Sequence, residues 1–267
     1  MISSLAHIHP DAKIGSNVTI DPFCVIEGDV EIGEGTHIMP NVCIYNGSRI
    51  GKNCKIFPGS VIGAVPQDLK FKGEYTTAIV GDNTTLRECV TINRGTVDKN
   101  TTKVGSNCLL MAYAHIAHDC IVADNVILAN GVQLAGHVTI DEFAIIGGLT
   151  GIHQFIHIGA HTYVAGHVLV RKDVPPFVKA ARDPVSYVGI NTVGLTRRNF
   201  SKESLDEISK VYHILFVQGH STSKAIELIE TTTNSSAARD QILSFVKNST
   251  LGIIKRHKDA TAEDFGF

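Results

Sequence analysis

The chain of 267 residues has no tryptophan and only three methionines, and aromatic residues make up 6% of it. So few large rings leave the core to aliphatic side chains. No apolar run approaches the length of a membrane-spanning helix. Ser3, His7, His9 and Asp11 interrupt every apolar stretch near the start, so a cytoplasmic protein without a secretory signal is expected. Charge of either sign is not in excess: the formal net charge is −2, and neither nucleic acid nor a membrane is an expected partner. Of six cysteines, Cys24, Cys54, Cys108 and Cys120 occupy one slot of a repeat. That spacing suits reduced filler rather than a disulfide framework.

What is present is a period of six. Between Ile8 and Val170 the sixth positions number 28, and 25 of them hold Ile, Leu or Val. The exceptions are Asp68, Glu74 and Asp98. Six residues match neither a helical period nor a long alternating strand; they fit a short strand plus a corner, the mark of a parallel β-helix. Small or β-branched residues such as Ala12, Val18, Thr36 and Ser48 follow four places after the aliphatics. Gly often comes next after the aliphatic (Gly33, Gly51), and Asn, Asp or Gly stands three places after it (Asn17, Asp29, Asn53, Gly131). These residues tolerate left-handed backbone angles, so each hexad carries its own turn. Three hexads close a triangular coil, coils stack about 4.8 Å apart, and 28 hexads predict nine to ten coils.

The expected fold is therefore an all-β parallel β-helix over residues 1–190, followed by a small α-helical domain over 191–267. Two polar stretches, 64–78 and 97–103, read as loops thrown out from the prism. Beyond the DVPPF segment, Ser201 is placed to cap a helix with Leu205, Ile208, Val211 and Tyr212 on one face. Further helices are expected at about 223–231 and 236–248. Residues 168–202 carry Arg171, Lys172, Lys179, Arg182, Arg197, Arg198 and Lys202 against Asp173 and Asp183. That basic patch suits a phosphate or an acidic partner.

Coil arithmetic then gathers chemistry. His118, Gly136 and Gln154 are 18 residues apart and fall in one column. His115, His137 and His153 lie beside it. A neutral imidazole is a suitable general base near pH 7, and a Gly backbone N–H one coil away is placed to receive an oxyanion. Asp119 follows His118 and either orients it or simply fills the turn slot where Asn, Asp and Gly recur. The same histidines leave a second chemistry open, since His115, His118 and His137 supply three nitrogens for zinc. No thiolate or carboxylate pairing selects a metal, and the expectation is neither metal nor cofactor.

The motifs QDLKFKGE (67–74), NRGT (93–96), AHIAHDC (114–120), LAGHV (134–138), IGGLTGIHQF (146–155), DVPP (173–176) and GLTRRNF (194–200) together resemble the UDP-N-acetylglucosamine acyltransferases, which open lipid A synthesis. The resemblance implies a left-handed helix and a homotrimer with sites between subunits. It also implies transfer of an (R)-3-hydroxyacyl chain from acyl carrier protein to the 3-hydroxyl of UDP-N-acetylglucosamine. On it His118 is the general base and Gly136 the oxyanion donor. His115, His137, Gln154, Asp68 and Lys70 fall on sugar-nucleotide contacts, and Asn191 and Arg197 on nucleotide contacts from the adjoining subunit. Gly166 falls on the position that limits acyl-chain length, and Gly there implies a longer chain. The basic residues Arg171, Lys172, Arg197 and Arg198 suit the acidic carrier protein.

Val193 and Pro184 stand where such enzymes carry Glu and His, which leaves the acceptor open between UDP-N-acetylglucosamine and its 3-amino analogue. Four other readings share the prism: a lipid A N-acyltransferase, a coenzyme A-dependent acetyltransferase, a metal hydratase and a non-catalytic scaffold.

Overall fold

The computed structural model describes residues 1–257; residues 258–267 of the expected helical domain lie outside that range. Twenty-five short strands between His7 and Val170 fall into three sheets, with all pairing in this range parallel. One sheet has nine strands (sheet I), one eight (sheet II) and one eleven (sheet III). The chain visits I, II and III in turn and returns one strand along. In plain coils partners are 18 residues apart, as in His7 with Val25 and Lys13 with Glu31.

Twenty-five strands at three per coil make eight coils and one strand, fewer than the period predicts. The register explains the difference. Val61 pairs with Thr91, twelve residues more than a plain coil, and Val80 pairs with Val104, six more. Both excess lengths are multiples of six, so the hexad phase passes through unbroken. The three hexads at Asp68, Glu74 and Asp98 belong to excursions. The second excursion spans 94–100 rather than 97–103, because Thr101–Val104 is already a strand of sheet II.

Ile20, Ile38, Ile56, Leu86, Leu110 and Leu128 succeed one another inside sheet III, all essentially buried. Each such burial is worth about 1.5–3 kcal/mol, and this aliphatic column replaces the aromatic core the composition rules out. The four cysteines of the repeat are buried with it, and all six are free. Burial pushes the Cys120 thiol up to about 12.

Corners carry the expected left-handed residues, with Asn17, Asn53 and Asn125 at φ of 57°, 53° and 61°. Asp29 is not among them. In later coils the same corner between sheets II and III holds Phe143, His161 and Phe177 at φ of 60°, 57° and 66°. A left-handed angle at such residues costs about 1–2 kcal/mol. Ring stacking opposes that cost, with centroids 4.9 Å apart for Phe143 and His161 and 5.6 Å for His161 and Phe177. The glycines directly after the aliphatics serve a different need from the one expected. A Cβ on Gly33 would lie 2.5 Å from the carbonyl carbon of Gly51 in the next coil. These positions exclude side chains because coils touch there.

After Val170, Val178–Ala181 extends sheet III and Ser186–Ile190 turns back antiparallel on it. Then come α1 (Thr192–Arg197), α2 (Lys202–Tyr212), a π-helical turn at His213–Val217, α3 (Thr222–Thr232) and α4 (Ala237–Asn248). Ser201 caps α2 by accepting from the Ser204 N–H. Tyr212 is fully buried, and its hydroxyl donates to the Pro176 carbonyl, fastening the helices to the prism. Lys255–Arg256 pairs with Ser186–Tyr187, so the chain returns to sheet III after its last helix.

Candidate active site

Both excursions leave the prism at one corner, between sheets I and II. Successive coils at that corner present residues 65–76, then 94–100, then His118 and Asp119, then Gly136 and His137, then Gln154 and Phe155. The column expected from 18-residue arithmetic is therefore real, and both loops rise from it.

His118 Nδ1 lies 2.9 Å from Asp119 Oδ2. The Asp119 carboxylate is completely buried, whereas 15% of the His118 side chain is exposed. With a proton on Nδ1 for that carboxylate, the Nε2 lone pair is free. Beneath the ring is Gly136: a Cβ there would lie 2.6 Å from His118 Cε1 and 2.8 Å from Nε2. Only a residue without a side chain lets the imidazole lie so flat against the next coil. The Gly136 N–H has no acceptor among the described residues. His137 meets His118 edge-on at 5.0 Å and stacks on Phe155 at 4.5 Å. Its Nδ1 is 3.1 Å from Asp98 of the second excursion.

Asp119 is the best-supported group at the corner. It accepts from Thr96 N–H at 3.0 Å, Thr96 Oγ1–H at 2.6 Å and Lys99 N–H at 3.2 Å, besides His118. Burial alone would raise this carboxyl, but those hydrogen bonds together bring it below its usual value. It is therefore ionised at neutral pH. His115, on the sheet I strand leading to the corner, shares a hydrogen bond of 2.7 Å between Nδ1 and Thr91 Oγ1. Burial lowers its proton affinity and keeps it neutral.

The remaining expected residues fall in three places. His153 and Gln154 are exposed at the same corner, and Asp68 and Lys70 are in the first excursion, where the Lys70 N–H donates to Asp68. Asn191 and Arg197 are elsewhere. Asn191 is buried; its amide donates to the His161 carbonyl of the II–III corner and accepts from Gly194 at the start of α1. Arg197 is exposed on α1. Arg198 is occupied internally, donating to Gly194 and Phe143 carbonyls with its guanidinium over the Phe143 ring. Gly166 lies at the third corner, between sheets III and I. Its neighbour His167 lines a cleft of about 550 Å³ with Leu149, Leu169, Arg171, Lys172 and Pro184.

Thr91, Thr96, Lys99 and Phe155 escaped sequence reasoning. NRGT ends in Thr96, and the break in the hexads just after it was the available signal. For a metal, the structure groups His118, Asp119 and His137, with ligand atoms within 4.8 Å of one another. His115 is outside that group, contrary to the zinc reading of His115, His118 and His137.

Comparison with known proteins sharpens this picture. Residues 11–46, 29–64 and 101–136 match the family described as bacterial transferase hexapeptide (six repeats), which places the prism among the hexapeptide transferases. Residues 173–254 match UDP N-acetylglucosamine O-acyltransferase, domain 2. The acyl-[acyl-carrier-protein]–UDP-N-acetylglucosamine O-acyltransferase of Aliivibrio fischeri is 43% identical over 96% of this chain and 100% of its own. The enzyme of that name from Herminiimonas arsenicoxydans is 42% identical over 96% and 99%. The solved UDP-N-acetylglucosamine acyltransferase of Bacteroides fragilis is 47% identical, with a TM-score of 0.94 over 96% of this chain and 100% of its own. The chain belongs to the UDP-N-acetylglucosamine O-acyltransferase family, and its fold is the left-handed parallel β-helix with a small helical domain.

Proposed function

We propose that the protein transfers an (R)-3-hydroxyacyl chain from acyl carrier protein to the 3-hydroxyl of UDP-N-acetylglucosamine, the opening step of lipid A synthesis. One observation carries the reading: a largely buried imidazole, backed by a buried ionised carboxylate, lies flat on a glycine whose N–H has no acceptor among the described residues. His118 Nε2 takes the proton of the sugar hydroxyl as that oxygen attacks the thioester carbonyl. The Gly136 N–H donates to the oxyanion. Collapse breaks the carbon–sulfur bond, and the imidazolium returns its proton to the departing carrier thiolate. Asp119 holds the tautomer that makes Nε2 the base.

The sugar nucleotide is assigned to His115, His137, Gln154, Asp68 and Lys70, which border the corner. Asn191 and Arg197 at α1 and Gly166 at the III–I corner lie away from the His118 corner of the same chain, which supports a homotrimer in which a neighbour completes the site. The III–I corner also exposes large apolar side chains on separate coils, Phe23 at 62%, Tyr113 at 66% and Leu149 at 68% exposure. Such a surface suits burial against further copies. Arg171 and Arg197 remain the groups offered to an acidic carrier, since the Lys172 ammonium donates to the Leu251 carbonyl.

The first test is turnover of chelator-treated protein given UDP-N-acetylglucosamine and mixed 3-hydroxyacyl carrier proteins. Undiminished formation of an acylated sugar nucleotide is expected. Activity that disappears with chelation and returns with zinc would support the hydratase-like metal reading of His118, Asp119 and His137. Asp119 argues against that reading, because its oxygens already receive three donors besides His118.

Chain length gives a second prediction. A Cβ on Gly166 would lie 2.9 Å from the Gly148 carbonyl oxygen, so a side chain there requires a local shift of the two coils, and Gly166→Met is checked for a normal thermal melt first. Gly166→Met is expected to shift the preferred donor to shorter chains in the same competition. An unchanged product profile would refute the assignment of chain-length control to Gly166.

A further inference from the structure

We propose that Thr96 is a positioning residue for the transfer: by donating to Asp119 it fixes the carboxylate that orients His118. The inference rests on the reading of His118 as general base.

Asp119 is held through both carboxylate oxygens. Its Oδ2 is shared between the Thr96 hydroxyl at 2.6 Å and His118 Nδ1 at 2.9 Å. Its Oδ1 accepts the Thr96 and Lys99 backbone N–H groups. The Lys99 ammonium reaches the Asp119 carbonyl at 3.1 Å, and the Asp119 N–H donates to Thr102 Oγ1 at 2.8 Å. Thr96 itself is buried. Thus every donor to this carboxylate other than His118 comes from the 94–100 excursion.

A plain coil would pass from sheet I to sheet II without those six extra residues. It would leave the carboxylate with His118 and, at 3.9 Å from Oδ2, His137 Nε2 as its charge-sharing partners, and an under-supported buried carboxylate is costly. The excursion therefore has a specific task in the coil directly before His118. Within it, Thr96 Oγ1 is the group that competes with His118 for one oxygen. A donor there spreads the negative charge and makes Oδ2 a weaker acceptor for an imidazolium. Removing it leaves more of the charge facing His118, which stabilises the protonated base.

The test is a pH–rate profile for wild type, Thr96→Val and Thr96→Ser, with His118→Ala in parallel. Valine keeps the shape and removes the donor; serine keeps the donor. For Thr96→Val, kcat is expected to fall about tenfold, the loss of a hydrogen bond to a charged group. The acid limb of kcat/KM is expected to move to higher pH, because more of the carboxylate charge then faces His118. KM for UDP-N-acetylglucosamine should change little, and Thr96→Ser should restore both rate and limb. A Thr96→Val enzyme with the wild-type limb would overturn the proposal, as would serine and valine variants equally slow with no shift. Thr96→Ala replaces the valine variant if the latter melts early. Turnover retained by His118→Ala would remove the general-base reading itself, a result separable from the limb position of the Thr96 variants.

Discussion

His118→Ala is expected to lower kcat by at least about a hundredfold, within the range of general acid–base catalysis, while the prism stays folded. The imidazole is outside the aliphatic core, and its contacts are with Asp119, Gly136 and His137. Its removal does not orphan the buried carboxylate, because Thr96 and Lys99 still donate to both oxygens. Turnover with matched thermal melts checks both halves. A variant that melts normally and turns over within about threefold of wild type would place the base elsewhere, since a lost general base costs far more.

Gly136→Ala is the second large effect. The backbone at Gly136 is not left-handed, so alanine meets no conformational barrier there. Its Cβ nevertheless arrives 2.6 Å from His118 Cε1 and 3.2 Å from Nδ1, far inside van der Waals contact. The ring must lift or swing, and either motion disturbs the hydrogen bond to Asp119. A misplacement of about 1 Å at a reacting group costs on the order of a hundredfold, so kcat should fall by that order while acceptor affinity holds. The N–H remains in the alanine variant, so this loss reports base position rather than oxyanion donation. Equal kcat with weakened acceptor binding would contradict the stacked geometry.

The sequence was most legible where its period is rigid. Eighteen-residue arithmetic placed His118, Gly136 and Gln154 in one column because each coil repeats its length there without interruption. Coil number was misread for the same reason: excursions of twelve and six residues preserve the phase and pass for coils. The network on Asp119 was hidden because Thr96 and Asp119 are 23 residues apart, a separation that becomes a contact only once the excursion folds back. Asn191 illustrates a further limit. Its expected contact with a nucleotide is implied by resemblance alone, and the period gives no sign that its amide also caps α1 and ties that helix to the coil carbonyl of His161. The left-handed corners of Phe143, His161 and Phe177 likewise follow from ring stacking between coils, which residue preference does not report.

The linkage formed in the product tests the central claim most directly. Wild-type protein is given UDP-N-acetylglucosamine and its 3-amino analogue in equal amounts, with one 3-hydroxyacyl carrier protein, and the products are separated and weighed by mass spectrometry. The account predicts an ester on UDP-N-acetylglucosamine that is lost in His118→Ala. An amide on the analogue alone would move the protein to a different acceptor, with Val193 and Pro184 as the first residues to exchange; no acylated sugar nucleotide at all would contradict the account.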